Sequence, residues 1–248
     1  MIFTPLIKKI HSIEEKWEIA SFPEGHTLIA DGSHQGRPLT SLNLTELVGC
    51  PIDKFPFLIK RLHTPASLFL QSHPEKGKEA QSKAWYMLNV SPGTSFYTTP
   101  DLPLTRGQVK TDLPSYLKKI HIKTGDLISI PSGCIHGVDH ECVILEIKQN
   151  ANLTYFLYED GIPSPQEIEK SLNHLSLEEP SHATLVECPL ITPYFTLTSK
   201  KGPCHIRGFE ILFFLTGPEK NHPLLVPFGS EHLIAPGVEA LSLRLFPL

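Results

Sequence analysis

The sequence has 248 residues, and its 22 lysines and arginines against 26 aspartates and glutamates give a formal net charge of −4. Because there is neither an excess of basic residues nor a long basic run, nucleic acid and membranes are not expected partners. The 23 prolines and 16 glycines disfavour a helix bundle and favour many short segments between turns.

The cysteines and the apolar stretches restrict the class of protein further. The five cysteines include no pair at CxxC spacing, which argues against a disulfide framework and against a structural zinc cluster. The longest uninterrupted apolar stretch, residues 211–215, is far below the roughly 20 residues that cross a bilayer. Pro5 interrupts the N-terminal apolar run and lysines follow that run, the reverse of a secretory signal. We therefore expect a cytoplasmic protein.

Short alternating segments separated by turn residues predict strands in two regions of the chain. Before residue 150, strands are predicted at residues 16–21, 27–30, 67–71, 84–90, 95–98, 120–122, 127–130 and 142–148. After residue 190, they are predicted at residues 194–198, 209–215, 224–226, 232–234 and 241–245. Helices are predicted at residues 42–47 and 165–177, the second because Pro165 and Glu167 are typical of a helix start. The pattern predicts a mainly β fold, with a β-sandwich, a connecting helix and a smaller second β unit.

One motif follows the predicted strand at residues 127–130. The sequence GDLISIPSGCIH at residues 125–136 places Pro131 and Gly133 in a tight corner, after which His136 enters the next strand. This spacing matches the second metal motif of the cupin superfamily, except that His140 stands where an asparagine is usual. A buried structural histidine is the alternative interpretation of His136.

A second motif lies at the end of the predicted strand at residues 67–71. Side chains alternate between the faces of a strand, so Gln71 and His73 share one face and Leu70 takes the other. A neutral imidazole and an amide oxygen can both bind a divalent ion, and an open site with histidine ligands suits zinc catalysis. Polar residues at a strand end are the alternative interpretation.

Four segments together resemble the type I phosphomannose isomerases of the cupin superfamily. They are QSHP at residues 71–74, AWYMLNVSPG at 84–93, IKTGDLISIPSGCIHGV at 122–138 and VILEIKQNANLTYFLYE at 143–159. The resemblance implies a cupin-type jelly roll at residues 1–160 with a short helical insertion at 99–119. A linking helix at 161–180 and a second, metal-free cupin-like unit at 181–248 would follow. It also implies a zinc ion and the interconversion of mannose 6-phosphate and fructose 6-phosphate through a metal-assisted enediol.

The resemblance carries over three of the family's four zinc ligands, and the fourth is missing. Gln71, His73 and His136 match, but Lys83 stands where the family has glutamate. Because an ammonium repels a dication, we expect zinc to be weakly bound or absent. Gln81 and Phe156 stand where the family has a lysine and an arginine. The sequence therefore indicates a reduced member of the family with an altered active site.

Several residues are candidates to compensate for these changes. Glu75, Glu79 or Glu146 is a possible replacement ligand, and Glu146 with Lys83 is the expected catalytic pair. Lys148 and Gln81 are the expected binding residues for a sugar phosphate. Two alternatives stay open: a non-catalytic cupin that binds a sugar, another small molecule or a protein, and a different cupin reaction with another metal at the two histidines.

Overall fold

The computed structural model describes residues 1–220 and 222–245, and it has the predicted mainly β fold. The chain forms two compact units. The smaller consists of Met1–Leu6, Trp17–Phe57 and Glu187–Leu248, and the larger of Ile7–Lys16 and Leu58–Val186. Both units are discontinuous in sequence, so the predicted divisions at residues 160 and 180 do not coincide with this arrangement.

The larger unit contains the six-stranded sheet and most residues of the seven-stranded sheet, both antiparallel. The six-stranded sheet has the order Lys118–His121, Ser95–Thr98, His136–Val138, Phe69–Ser72, Tyr155–Glu159 and Ile162–Pro163. The seven-stranded sheet has the order Thr184–Val186, Leu127–Ile130, Lys83–Val90, Cys142–Gln149, Phe57–His63, Ile13–Ile19 and Leu6–Ile10. Alternation of side chains along these strands sends every second residue into the interior.

The interior between the two sheets has an apolar half and a polar half. The apolar half contains fourteen buried residues, among them Phe69, Trp85 and Ile144. Residues two positions further along the same strands, such as Gln71 and Glu146, are buried polar side chains. Each of these strands thus contributes to both halves of the interior.

Two helices belong to the larger unit. Arg106–Tyr116 lies within the segment 99–119 and begins with a capping box of Thr105 and Gln108. Pro165–Ser171 begins with the predicted proline but ends six residues earlier than predicted. Asn173 and His174 instead donate to carbonyls three residues back, so the chain turns there. Leu113 and Ile168 from these helices belong to the same apolar cluster as Leu70 of the six-stranded sheet.

The smaller unit has its own sheets and one α-helix, Leu44–Val48. Its five-stranded sheet has the order Leu190–Ile191, Phe195–Lys201, Glu239–Leu245, Glu210–Phe214 and Pro223–Val226. Three two-stranded sheets pair Cys204–Arg207 with Glu231–Ile234, Phe3–Thr4 with Leu28–Ile29, and Ser21–Phe22 with Gly25–His26. Short 3-10 helices lie at Gly32–His34 and Leu39–Ser41. In the described part of the chain, no helix has the length and apolar character of a membrane span.

Candidate active site

The polar half of the larger unit's interior contains a set of side chains that we call the charged cluster. None of its members is more than 7% exposed. They are Glu15, Lys60, Gln71, His73, Gln81, Lys83, His136, Glu146 and Lys148. Strand register brings them together, because Gln71 is the direct cross-strand partner of His136, and Lys83 that of Lys148. The sequence-predicted residues Gln71, His73, Gln81, Lys83, His136, Glu146 and Lys148 therefore all lie in one place.

Glu146 is the centre of the hydrogen-bond network in this cluster. One carboxylate oxygen, Oε2, accepts from Trp85 Nε1 at 2.7 Å and from Lys83 Nζ at 3.2 Å. The other oxygen, Oε1, lies 3.4 Å from Lys60 Nζ, which also donates to Glu15 at 2.5 Å. Two buried lysines and an indole thus hold one carboxylate in place.

The two histidines are held in one orientation by backbone carbonyls. His73 Nδ1 lies 2.9 Å from the carbonyl of Leu153, and His136 Nδ1 lies 3.0 Å from that of Cys134. A carbonyl only accepts, so the Nδ1 atoms carry the protons and the Nε2 lone pairs are free to accept. His73 Nε2 accepts from Lys83 Nζ at 2.5 Å, and His136 Nε2 accepts from the Gln71 amide at 3.1 Å.

Burial and the mutual charges move the pKa values of the charged cluster. Burial lowers the pKa of His73 well below its ordinary value and that of His136 to about 3, and the nearby Lys83 adds to both shifts. Burial alone would raise the pKa of Glu146, but Lys83 and Lys60 hold it well below its usual range. At neutral pH the site therefore contains neutral imidazoles beside a carboxylate.

Among the described residues, Lys148 has no ion pair and Gln81 has an oxygen without a donor. No carboxylate of the described residues forms an ion pair with Lys148, and burial together with Lys60 and Lys83 lowers the pKa of Lys148 well below its ordinary value. Gln81 donates to the Leu153 carbonyl at 2.9 Å, but its Oε1 has no donor among the described residues. The Gln81 oxygen therefore has hydrogen-bonding capacity left for a ligand.

Three sequence-predicted positions lie outside the charged cluster. Glu75 accepts from the backbone N–H of Ser176 at 3.0 Å, and Glu79 accepts from that of Asn152 at 3.4 Å. Both carboxylates thus accept from backbone N–H groups outside the charged cluster. Phe156 is half-buried against the rings of His11 and Phe69.

The sequence reasoning missed Glu15 and Lys60 as members of the site. Ile13 and Leu62 are buried in the apolar half of the interior, and Glu15 and Lys60 lie two residues from them on the same strands. Two-residue periodicity within these strands is the signal that would have placed them inside.

The predicted zinc ligands do not fit a zinc ion in this arrangement. The described residues contain no group of three or more His, Cys, Asp or Glu side chains placed to hold a metal. Zinc binds an imidazole nitrogen at about 2.0–2.1 Å through its lone pair, and the lone pair of His73 already accepts from Lys83. Gln71, His73 and His136 lie together as predicted, but as partners of other side chains.

We expect the protein to lose stability as the pH is lowered from 6.5 towards about 3, because of His136. In this range the unfolded chain takes up a proton on His136, whereas the folded protein holds the imidazole neutral. Since the unfolded state binds more protons, the free energy of unfolding decreases by up to about 1.4 kcal/mol per pH unit for this group. At the acid side of this window the unfolded chain also takes up a proton on Glu146, whereas the folded protein, in which the pKa of Glu146 is lowered, does not, so this group acts in the same direction.

Urea unfolding followed by tryptophan fluorescence at several pH values between about 7 and 4 measures this slope. His136→Gln should reduce the slope of the free energy of unfolding against pH by up to about 1.4 kcal/mol per pH unit, which corresponds to one proton. His121→Gln, at an exposed position, should leave it unchanged. Equal slopes in the wild type and His136→Gln would show that this imidazole does not cause the effect.

Solved structures with a similar fold are known for this chain. No family model matches the sequence. The fold is similar to the crystal structure of mannose 6-phosphate isomerase from Bacillus subtilis, with a TM-score of 0.74, 18% identity and coverage of 98% of both chains. The apo form of the Salmonella typhimurium enzyme gives a TM-score of 0.58 at 12% identity, over 93% of this chain and 88% of that one. These similarities show a cupin-type β fold.

Sequence relatives show which proteins the chain resembles. The chain is 28% identical over 190 residues to mannose-6-phosphate isomerase of Streptococcus mutans, covering 68% of this chain and 60% of the relative. It is 25% identical over 209 residues to the isomerase ManA of Bacillus subtilis, covering 70% and 66%. The matched region thus spans about two thirds or less of these relatives. The resemblance to the phosphomannose isomerase family is confirmed.

Proposed function

We propose that this protein is an isomerase that interconverts mannose 6-phosphate and fructose 6-phosphate. The observation that carries the proposal is the placement of the Glu146 carboxylate beside the Lys83 ammonium and two neutral imidazoles in one buried cluster. The names of the sequence relatives support the same reaction. The cytoplasm is its proposed location, and neither nucleic acid nor a membrane belongs to the proposal.

Aldose–ketose isomerisation needs a group that moves a proton and a charge that stabilises the enediol. In the proposed reaction Glu146 takes the proton from C2 of the aldose and returns it to C1, while the hydroxyl proton on O2 moves to O1, and the reverse reaction runs through the same steps. Lys83 stabilises the negative charge that develops on the sugar oxygens. A general base of this kind contributes about 10²–10⁴-fold to a rate, and a fixed positive charge acts most strongly where water is excluded. No step is assigned to zinc, because Lys83 already donates to His73.

The phosphate of the substrate is assigned to Lys148 and Gln81. Three lysines and two carboxylates belong to the charged cluster, and Lys148 is the lysine without an ion pair among the described residues. A phosphate dianion beside Lys148 would favour its protonated form and accept charge-assisted hydrogen bonds. This charge distribution favours an anionic ligand over a neutral sugar.

The test is an assay that couples fructose 6-phosphate formation from mannose 6-phosphate to NADPH production. We expect turnover in the wild type and a KM raised about 10- to 100-fold in Lys148→Met, because a hydrogen bond to a charged group is worth about 1.5–3 kcal/mol. Lys123→Met removes an exposed lysine of the same unit and should leave KM unchanged. Absence of turnover in the folded wild-type protein contradicts the proposal.

A second candidate function is sugar phosphate binding without isomerisation. The observation that favours it is the pKa of Glu146, which Lys83 and Lys60 hold well below its usual range, so that the carboxylate is a weak base. Phe156 in place of a cation acts in the same direction. Calorimetric titration with mannose 6-phosphate separates the two functions. Binding without turnover selects the second candidate, and the absence of both excludes both.

A further inference from the structure

The two histidines of the charged cluster are oriented as cation ligands usually are. Their Nδ1–H groups donate to the carbonyls of Leu153 and Cys134, so both Nε2 lone pairs face the interior. Hydrogen bonds of this kind commonly fix the tautomer and ring orientation of histidines that bind metals. The ring centroids of His73 and His136 lie 5.4 Å apart, so the two imidazoles are close neighbours.

The cation that His73 meets in the structure is the side chain of Lys83. Lys83 Nζ lies 2.5 Å from His73 Nε2 and 3.2 Å from the nearer carboxylate oxygen of Glu146. His73 follows a strand of the six-stranded sheet, whereas Lys83 and Glu146 belong to the seven-stranded sheet. The lysine therefore connects the two sheets through the groups that a metal ion would use.

The surroundings of Lys83 are unfavourable for a second cation. Its side chain is only 1% exposed, so water cannot screen its charge. Lys60 lies 3.4 Å from the other oxygen of Glu146, and Lys148 is the cross-strand partner of Lys83. A dication at this point would have to displace the hydrogen bond from Lys83 to His73 while remaining near three lysines.

We propose that the Lys83 ammonium permanently replaces the metal ion in this site, so that the protein is a metal-independent member of its family. The ammonium provides one fixed positive charge where a bound metal would provide two. The inference concerns the site to which we assign the isomerisation, but its test measures bound metal and not turnover. The two proposals can therefore fail separately.

The test compares zinc binding by the wild-type protein and by Lys83→Glu. Each protein is incubated with excess zinc, freed of unbound metal by gel filtration, and analysed by inductively coupled plasma mass spectrometry. We expect no stoichiometric zinc in the wild type and one ion per chain in Lys83→Glu, because the new carboxylate adds an anionic ligand to Gln71 and the two histidines. The double variant Lys83→Glu/His136→Ala should lose this zinc again, which locates the ion.

One zinc ion per wild-type chain that His136→Ala removes would overturn the proposal. Lys83→Glu places a second carboxylate beside Glu146, so it is expected to need zinc for folding. Circular dichroism with and without zinc measures this requirement, and folding that depends on zinc supports the proposal. If Lys83→Glu stays unfolded in both conditions, the wild-type measurement alone decides: stoichiometric zinc contradicts the proposal and its absence supports it.

Discussion

Glu146→Gln should destabilise the larger unit by about 3–5 kcal/mol, because it removes the carboxylate that Lys83 and Lys60 share in the interior. Lys60 keeps its bond to Glu15, but Lys83 keeps only an imidazole acceptor. The new side chain has one oxygen and one NH₂ group. Its N–H groups would therefore face either Lys60 or the pair Lys83 and Trp85, which are themselves donors. The loss is large because burial excludes the water that would otherwise solvate the unpaired ammonium.

Urea unfolding at neutral pH measures the change in the free energy of unfolding. Glu169→Gln is the matched control, because it makes the same chemical change in an exposed ion pair with Lys110 and should leave the free energy of unfolding nearly unchanged. The double variant Glu146→Gln/Lys83→Met should be more stable than Glu146→Gln alone, since it removes the unpaired charge. Similar losses in Glu146→Gln and Glu169→Gln would mean that the buried network adds no stability.

Gly137→Ala should destabilise the larger unit by about 3 kcal/mol or more, because there is no space for a methyl group beside this strand. A Cβ atom on Gly137 would lie 1.8 Å from the carbonyl oxygen of Phe69 and 3.0 Å from the Cα of Leu70. These are backbone atoms of the neighbouring strand, so the two strands would have to separate. The pairing of His136 with Gln71 is adjacent to this contact and would be disrupted with it.

Gly107→Ala provides the matched control within the same unit. Gly107 lies in the helix Arg106–Tyr116, and the nearest atom to an added Cβ is the Thr105 hydroxyl oxygen at 3.8 Å. This variant should be unchanged or more stable by up to about 1 kcal/mol, because alanine favours the helix. Differential scanning calorimetry of both variants measures the contrast. Equal melting temperatures would show that the strands accommodate the methyl group.

Most strands could be predicted from the sequence because their two faces differ. Residues 95–98 and 127–130 have the predicted boundaries, and most other predicted strands differ from the structure by one to three residues at each end. The strand Phe57–His63 was not predicted as a strand, since its first four residues are all buried and alternation is lost. The predicted first domain includes residues 17–57, whereas the structure groups them with residues 187–248. Contacts such as Phe57 with Phe195 depend on tertiary packing between segments far apart in sequence.

The candidate site could be predicted only as far as motif and alternation reach. The spacing of Gln71 and His73 placed both on one face, and the corner at Pro131 placed His136 beside them. The pairing of Lys60 with Glu15 and Glu146 joins strands separated by 45 and 86 positions in the sequence, and no local pattern specifies it. The resemblance predicts that Lys83 departs from the family's pattern, but its bond to His73 joins two sheets and is not specified by any local pattern.

The division of the interior into two halves has a consequence for how this sequence can change over time. Apolar contacts have no preferred direction. A single residue of the apolar half can therefore be replaced by another of similar volume. In the polar half Lys60, Lys83 and Glu146 have specific partners, and a change at one of these positions leaves a buried charge unpaired. Ile144 or Met87 can therefore be substituted one at a time, whereas Lys83 and Glu146 are expected to vary as a pair.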